Sequence, residues 1–537
     1  MPTAVTYPGV YIEEVPSGVR TIVGVPTSIT AFVGFARRGP VDDPSRIQSW
    51  GDYDRRFGGL SRTSTLSYAV QQFFANGGAD AIVVRVVHRE GAGAASTATL
   101  MLGAGNKRLV LAAASPGEWA NGLRVRIEGG DDVREAEPGE NADQLFNLRV
   151  HDPASGTRED FLNLNVASSD EVIAVAEQSQ LIRVTALGIG TSTAVTRRPP
   201  DPHGPADPGV DPLDPPEGVT GTFTAFTANG DDGADGTQAA DDLIGSDADK
   251  EGIYALRDAD IFNMLCIPPV TRDGTLDVTA IIGPAAKLCA EERAFLIVDP
   301  PDDWDDVAEA RDNVDDYAIA NRRNAAIYFP RINGPDPLAP GTTGTFPPCG
   351  AVAGLIARTD GERGVWKAPA GQDATLAGVS ALSVALTDGE NGQLNPLGIN
   401  CLRTFEGVGH VVWGARTLDG ADRNASEWKY VPIRRLALYI EESLYRGTRW
   451  AVFEPNDEPL WSQLRLNIGS FMHDLFRQGA FQGASPREAY FVKCDKETTT
   501  QSDRDKGIVN VLVGFAPLKP AEFVVLKISQ IAGEREV

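Results

Sequence analysis

Several residue types that support chemistry are scarce in this chain of 537 residues. It has only five histidines, so few side chains could act as the base beside a nucleophilic serine or cysteine. The five cysteines are odd in number and far apart in the sequence, which predicts neither a disulfide framework nor a zinc site. We therefore expect synthesis in a reducing interior.

Positive charge and long apolar runs are lacking as well. The 49 Lys and Arg residues face 74 Asp and Glu, a net charge of -25, and such a chain would repel phosphates. No apolar run approaches the roughly 18 residues of a membrane helix. The first residues show neither the charged nor the apolar region of a signal peptide. We expect no nucleic-acid binding, no membrane insertion and no secretory signal.

The motifs for catalysis and cofactors fail at specific positions. The chain has no Gly-x-Ser-x-Gly sequence, and the stretch 361–367 has the wrong glycine spacing for a phosphate-binding loop. The acidic run 231–242 departs from a calcium loop at Gly233 and at Asp242, where a bidentate Glu is needed. We predict no enzyme, no cofactor and no metal. A degenerate α/β hydrolase and a weak Ca²⁺-binding surface module remain alternatives.

The apolar pattern predicts an α/β chain, or more broadly an α+β multidomain protein. Near the N-terminus it indicates a strand at 28–36, a helix at 66–76 and a strand at 81–87. From residue 251 onward, predicted strands alternate with predicted helices, an arrangement typical of a parallel sheet covered by helices. The strands are expected at 261–267, 295–298 and 326–329, and the helices at 276–290, 304–322 and 347–358.

The residues between these two parts have a different character. Short β-like runs predict a β-rich insertion over residues 91–250, with a hairpin turn at 151–156 and a helix at 170–177. Eight prolines in 197–218 predict an exposed loop without regular structure. This loop belongs to an acidic stretch, 201–260, that carries a net charge of -13.

The C-terminal part reads as two helices and several strands. A helix is predicted at 431–447, with Pro432 in its first turn, and a second at 459–478 with Gly479 as its cap. Strands are predicted at 450–453, 490–494, 507–515 and 522–529.

An ordered series of short motifs over residues 428–537 resembles the C-terminal domain of contractile tail sheath proteins. The motifs are Arg434-Arg435, the stretches 450–456 and 479–483, Cys494-Asp495, and the stretch 516–523. The start Tyr7-Pro8-Gly9-Val10-Tyr11 is similar to the N-terminal arm of the same family. Without the resemblance, that start would be interpreted as the first strand of the chain's own core.

The resemblance implies a division of the chain into six parts. These are an N-terminal arm (1–24), the N-terminal part of the core (25–90), a β-rich variable insertion (91–250), an α/β domain similar to subtilisin in architecture (251–420), a C-terminal core domain (421–516) and a C-terminal arm strand (517–537). The likeness to subtilisin brings no catalytic triad, since the chain lacks the motif.

The resemblance also implies a mechanical function. The chain would polymerise with itself as six-fold rings in a helical array around an inner tube protein, and contract to drive that tube into a target. Baseplate and terminal cap proteins would be further partners. Assembly is expected in the bacterial cytoplasm, as part of a phage tail-like particle. A phage virion tail and an injection system both fit, whereas a two-component type VI sheath fits less well because one chain spans both ends.

The site residues implied by the resemblance lie in the two arms and on one helix. Each arm would add a strand to a neighbouring subunit's sheet. The predicted N-terminal arm residues are Val10, Tyr11, Ile12, Glu13, Glu14 and Val15, and the C-terminal ones are Phe523, Val524, Val525, Leu526, Lys527 and Ile528. The predicted hinges are Pro16, Gly18, Pro517 and Pro520. The predicted tube contacts are Arg465 and Arg477.

Overall fold

The computed structural model describes residues 20–88, 95–103, 108–187, 211–214, 223–226, 239–272 and 274–527. These residues divide into two compact units. The larger unit is built from residues 28–358 and 369–427, and the smaller unit takes 20–27, 359–368 and 428–527 of the described chain. Mixed helices and several separate sheets make the protein α+β, as predicted.

The larger unit begins with the predicted strand–helix–strand arrangement. Ser49 and Ser64 cap its two helices, because each side chain accepts a hydrogen bond from a backbone N–H in the first turn. The elements are β1 (Thr30–Phe35), β2 (Ser45–Ile47), α1 (Trp50–Phe57), α2 (Thr65–Ala75) and β3 (Ala81–Val86).

The segment between β3 and the next part of the core is rich in strands. Two antiparallel sheets, β4-β5-β9 and β10-β6-β7-β8, enclose one apolar core. The elements are β4 (Thr99–Leu102), β5 (Leu109–Ala113), β6 (Arg124–Glu128), β7 (Leu145–Asp152), β8 (Thr157–Asn165), α3 (Ser169–Glu177), β9 (Ile182–Leu187), β10 (Thr224–Ala225) and α4 (Ala239–Ile244). Most of the predicted loop 197–218 lies outside the described residues.

The turn between β7 and β8 docks on the core of the larger unit through a buried ion pair. Arg38 Nη1 donates to Asp152 Oδ2 at 3.2 Å, and both side chains are almost fully buried. Nearby, Arg85 donates to the carbonyl oxygen of Pro116 at 2.8 Å. These contacts fix the insertion to the loop after β1 and to β3.

The remaining strands complete an eight-stranded sheet ordered β18-β17-β13-β12-β11-β1-β3-β2. Its six inner strands are parallel, and β18 and β2 join the edges antiparallel. Two short antiparallel pairings join β14 to β15 and β16. The elements are β11 (Met264–Cys266), α5 (Gly283–Glu291), β12 (Phe295–Val298), α6 (Val307–Asn313), β13 (Ala325–Phe329), β14 (Ile332–Pro335), β15 (Thr343–Phe346), α7 (Cys349–Arg363), β16 (Ala381–Leu382), α8 (Asp388–Leu394), β17 (Ile399–Phe405) and β18 (Gly409–Val412).

The sheet crosses a boundary that the sequence analysis placed at residue 251. Strand β1 pairs with β3 on one side and with β11 on the other. Residues 25–90 and 251–420 therefore contribute strands to one sheet. The insertion separates β1 and β11 in sequence, but the two strands are neighbours in space.

Close packing of small residues positions α7 against α2. A Cβ atom added at Gly350 would collide with the Ala69 carbonyl, and one at Gly354 would collide with the Phe73 carbonyl. The glycines therefore let the two helix backbones approach closely. None of the helices in the described ranges combines the length and apolar character that crossing a bilayer requires.

The smaller unit consists of two long helices, two short ones and a hairpin. Its core lies between the helices, around Leu436, Ile440, Ile468 and Phe471. The elements are α9 (Val431–Gly447), α10 (Glu458–Arg477), α11 (Pro486–Ala489), β19 (Tyr490–Lys493), α12 (Gln501–Asp505) and β20 (Leu512–Phe515). The two predicted helices are confirmed.

Two predicted strands of this unit are wrong in whole or in part. Residues 450–453 form no strand, because the chain turns through a short 3-10 helix, Arg449–Ala451, and Phe453 adopts a left-handed conformation with φ 70°. The Glu454 N–H donates to the Ala451 carbonyl and closes this turn. The predicted strand 507–515 shrinks to β20 alone.

Candidate functional site

The smaller unit contains a two-stranded antiparallel sheet with open outer edges. Its register runs from Tyr490 opposite Phe515 to Lys493 opposite Leu512. In the part of the chain that the structure describes, no third strand joins it. An isolated pair of strands is marginally stable, and unpaired edge groups can bond another strand. This hairpin is therefore a place where extended segments of a partner chain could add.

Glu522 is bonded to the smaller unit by its side chain immediately before the C-terminal segment of the described chain. The Tyr430 hydroxyl donates to Glu522 Oε2 at 3.0 Å, and Lys429 Nζ lies 3.9 Å from the same oxygen. Beyond this tie, the four apolar side chains of residues 523–526 are 74% to 80% exposed. A run of exposed apolar side chains marks an interaction site, since burial of each is worth about 1.5–3 kcal/mol.

The predicted arm residues fall partly within the described chain. Phe523, Val524, Val525, Leu526 and Lys527 lie there, and none of them belongs to a strand of this chain. Residues 10–15 and Ile528 lie outside the described residues. Pairing of either arm with a neighbour stays a prediction.

Of the four predicted hinge residues, Pro517 and Pro520 are described. Pro517 forms an isolated β-bridge with Phe481, and just before it the Ala516 N–H donates to the Ala489 carbonyl at 2.8 Å. Both prolines therefore lie between a tied residue and the tie at Glu522. Pro16 and Gly18 lie outside the described residues, and the hinge role of all four stays a prediction.

The two predicted tube contacts differ in their surroundings on α10. Arg465 is half-buried; it donates to the Cys494 carbonyl and, at 2.6 Å, to Glu458 Oε1. Arg477 is exposed at the end of the helix. A partner would reach Arg477 without breaking an internal bond, whereas Arg465 already has partners within its own chain. Contact with a tube stays a prediction for both.

A buried ion pair in the same unit was not predicted from the sequence. Arg435 donates two hydrogen bonds to Asp360, at 2.8 and 2.6 Å, and a third to the Thr27 carbonyl at 2.8 Å. Both charged side chains are less than 5% exposed. Arg435 lies inside α9, within the helix predicted at 431–447. The pair joins three segments that are distant in sequence, which no local pattern reveals.

The histidines of the described chain form two incomplete catalytic arrangements. His88 Nδ1 lies 2.9 Å from Asp242 Oδ2, but the buried Nε2 has no hydrogen-bond partner among the described residues. His410 Nδ1 lies 2.8 Å from Thr404 Oγ1 across the β17–β18 hairpin, so the partner of this ring nitrogen is a hydroxyl group. Within the described ranges, no three His, Cys, Asp or Glu side chains converge as a metal-binding group.

A buried carboxylate and two thiols meet where β11 and β12 end and α7 begins. Asp299 Oδ1 accepts the Cys349 N–H at 2.7 Å, and burial raises the pKa of Asp299 to about 6. Cys266 Sγ lies 3.7 Å from the Cys349 carbonyl oxygen. Burial raises the pKa of both thiols, so neither forms a nucleophilic thiolate readily.

Comparison with known families matches about half of the chain to two neighbouring family models. Residues 252–418 match the phage tail sheath protein central domain, and residues 423–531 match the phage tail sheath C-terminal domain. The tail sheath protein of Vibrio phage KVP40 is 28% identical over 183 residues, and that of Enterobacteria phage T4 is 25% identical over 174 residues. These matches cover 34% and 32% of this chain but only about a quarter of each phage protein.

Solved structures with the same fold match nearly the whole chain. The sheath complex of an extracellular contractile injection system, PVC, in its contracted state has a TM-score of 0.57 and 22% identity, with 99% of each chain covered. The contracted helical sheath of the anti-feeding prophage has a TM-score of 0.53 and 24% identity, covering 98% of this chain and 100% of that one. A sheath tail protein from Listeria innocua reaches 0.59 at 11% identity, covering 93% and 96%.

Proposed function

Because the chain belongs to the contractile tail sheath protein family, we propose that it is a structural sheath protomer that polymerises around an inner tube and contracts. The array would be helical, built from six-fold rings, and contraction would be a rigid-body rearrangement of subunits that drives the tube into a target. No chemical step is required of the chain. Its partners would be further copies of itself, the tube protein, a baseplate and a terminal cap, assembled in the bacterial cytoplasm.

The observation that carries this proposal is the exposed apolar segment 523–526 beyond the tie at Glu522. In the described chain this segment has no strand partner, while the hairpin of β19 and β20 has two open edges. Addition of the segment to a neighbour's hairpin would bury its side chains and satisfy backbone groups on both chains. Copies linked in this way form an open chain of contacts, which builds a filament.

Electron microscopy of the purified full chain, alone and with its tube protein, tests the proposal. We expect hollow, striated cylinders or a regular sheath on the tube. A chain that remains monomeric and leaves the tube undecorated would contradict a sheath function.

A pair of matched substitutions tests the segment itself. Val525 and Leu162 are both exposed apolar residues, 77% and 55% exposed, and Leu162 lies on β8 of the insertion. We expect Val525→Asp to abolish sheath formation, because a charge would enter the sheet between subunits, and Leu162→Asp to assemble normally. Equal assembly of both variants would remove the segment from the interface.

A phage tail and an injection particle would both require a sheath that assembles around a tube and contracts, so the proposal covers both. Particles isolated from the native host distinguish the two, since a DNA-filled head indicates a virion and a headless particle indicates an injection system.

A further inference from the structure

Residues 20–27 form a segment, here called the strap, that follows helix α9 along its length. The helix positions that the strap contacts are spaced by four residues and so lie on one stripe of the helix surface. From the start of the helix to its end, they are Arg435, Tyr439, Ser443 and Gly447. The strap residues that meet them are, in the same order, Thr27, Gly24, Val25 and Ile22.

The contacts of the strap cover most of the length of α9. Gly447 follows Arg435 by twelve positions, which corresponds to a rise of about 18 Å along an α-helix. The five steps from Ile22 to Thr27 span about 17 Å in extended backbone. The long side chain of Arg435 covers part of this distance, so the strap reaches all four helix positions without being fully stretched.

The strap is held at both of its ends and in the middle. At one end, Arg435 donates a hydrogen bond to the Thr27 carbonyl, and its other hydrogen bonds go to the buried Asp360. In the middle, the Val25 N–H donates to Ser443 Oγ at 3.2 Å. At the other end, Ile22 is buried against Gly447, where an added Cβ would lie 2.6 Å from Ile22 Cγ2.

The first described residue, Arg20, makes further contacts beyond the C-terminal end of α9. Its guanidinium carbon lies 4.5 Å from the centre of the Trp450 ring, and its N–H donates to Asn467 Oδ1 at 3.2 Å. Glu522, where the C-terminal segment leaves, is tied to Tyr430 at the opposite end of α9. The two predicted arms therefore leave the unit at opposite ends of one 17-residue helix, about 25 Å long.

We propose that the strap is a permanent anchor, and that α9 is a rigid spacer between the two arms. The inference rests on the proposed function, because it assigns the strap a role only in a chain whose arms join neighbours. Tension from the N-terminal arm would act along the strap and end at Arg435 and Asp360. Contraction would then move whole subunits and leave the strap in place on the helix.

A disulfide between the strap and the helix tests whether the strap moves. Ile22 Cβ lies 3.1 Å from the position of a Cβ on residue 447, which is shorter than the Cβ–Cβ distance of about 3.5–4.5 Å in disulfides, so a shift of a few tenths of an ångström would allow the bond. We expect Ile22→Cys with Gly447→Cys to cross-link within one chain on oxidation, and the cross-linked sheaths to assemble and contract like the reduced ones. Val23→Cys with Gly447→Cys is the matched control, since Val23 is 78% exposed and should not cross-link.

The outcomes separate the inference from the proposed function. Cross-linked sheaths that assemble but stay extended, while reduced sheaths contract, would show that the strap moves and would overturn the anchor. Failure of the first pair to cross-link in the folded monomer would also overturn it. If the unmodified chain forms no sheath even with its tube, the proposed function fails, while the cross-linking yield still reports the position of the strap.

A second comparison tests the role of the ion pair under tension. Arg435→Lys keeps the charge but loses the two-point grip on Asp360, whereas Arg434→Lys alters a neighbour that stacks on Trp428 and pairs with the half-exposed Glu441. We expect both variants to assemble, and only Arg435→Lys sheaths to break during contraction, counted as torn sheaths in micrographs. Intact contracted sheaths from a folded Arg435→Lys protein would contradict the anchor.

Discussion

At the scale of single residues, Asp299 is a carboxylate whose surroundings oppose its charge. It is 8% exposed, and desolvation dominates the rise of its pKa from 3.8 to about 6, while the Cys349 N–H and Arg331 partly offset that rise. Because the folded-state pKa is the higher one, the contribution of this group to stability is full below pH 3.8. It is lost as the pH rises through 6.

We therefore expect Asp299→Asn to raise the free energy of unfolding at pH 7.5, by up to about 3 kcal/mol from the size of the shift. The amide oxygen can still accept the Cys349 N–H, so the start of α7 keeps its bond. Urea unfolding at pH 4 and pH 7.5 measures the effect, with the exposed Asp131→Asn as control. An identical pH dependence in Asp299→Asn and the unmodified protein would contradict it.

Residue-scale contacts in the smaller unit show what a sequence can and cannot reveal. The pair Arg434-Arg435 was visible as a motif, but the partner of Arg435, Asp360, lies 75 positions away in sequence. The stripe of α9 that carries Tyr439 and Gly447 does repeat every four residues, so its spacing was a signal. What covers the stripe could not be predicted, because the strap has no secondary structure of its own.

At the scale of elements, the docking of the β7–β8 turn depends on a buried charge pair. Asp152 also accepts hydrogen bonds from Ala154 N–H and Ser155 Oγ, so the turn shapes the site that receives Arg38. Burial lowers the pKa of Arg38, and Asp152 opposes that shift. Each buried charge is therefore compensated by the other, and neither has a comparable substitute in solvent.

We expect Arg38→Ala to lower the free energy of unfolding by about 3–5 kcal/mol, because Asp152 would remain buried without its partner. Arg158→Ala is the control, because Arg158 is 42% exposed in its pair with Asp211 and should cost about 0–1 kcal/mol. Urea unfolding gives both values, and limited proteolysis reports whether the insertion loosens. Equal losses in the two variants would mean that the buried pair does not hold the insertion.

Elements with strong local signals were predicted well, and those defined by distant partners were not. Helices α9 and α10 have long apolar stripes and prolines in their first turns, which fix their type and their bounds. Residues 450–453 have a sequence typical of a strand, but no strand of the described chain lies beside them to pair with. Trp450 instead packs against the apolar cluster that contains Leu460 and Trp461. Apolar character alone could not distinguish a paired strand from a turn whose side chains pack against a helix.

At the scale of the whole molecule, the separation of folding from assembly can be tested at the N-terminus. The core of the smaller unit includes Ile22, which is 5% exposed, and the described contacts of this end begin at Arg20. We therefore expect the segment needed for the fold to start at about residue 20. The predicted arm, 10–15, precedes it in the sequence and is expected to pair with a neighbouring subunit.

We expect deletion of residues 1–16 to abolish sheath assembly and to leave a folded monomer with an unchanged melting temperature. Deletion of residues 1–27 is the contrasting variant; it removes the strap and should lower stability by several kcal/mol, since loss of a buried Ile alone costs about 2–5 kcal/mol. Thermal melting and electron microscopy of the two proteins give the result. Normal sheaths from the shorter deletion would show that the arm is dispensable, and a lowered melting temperature would place residues 1–16 in the chain's own core.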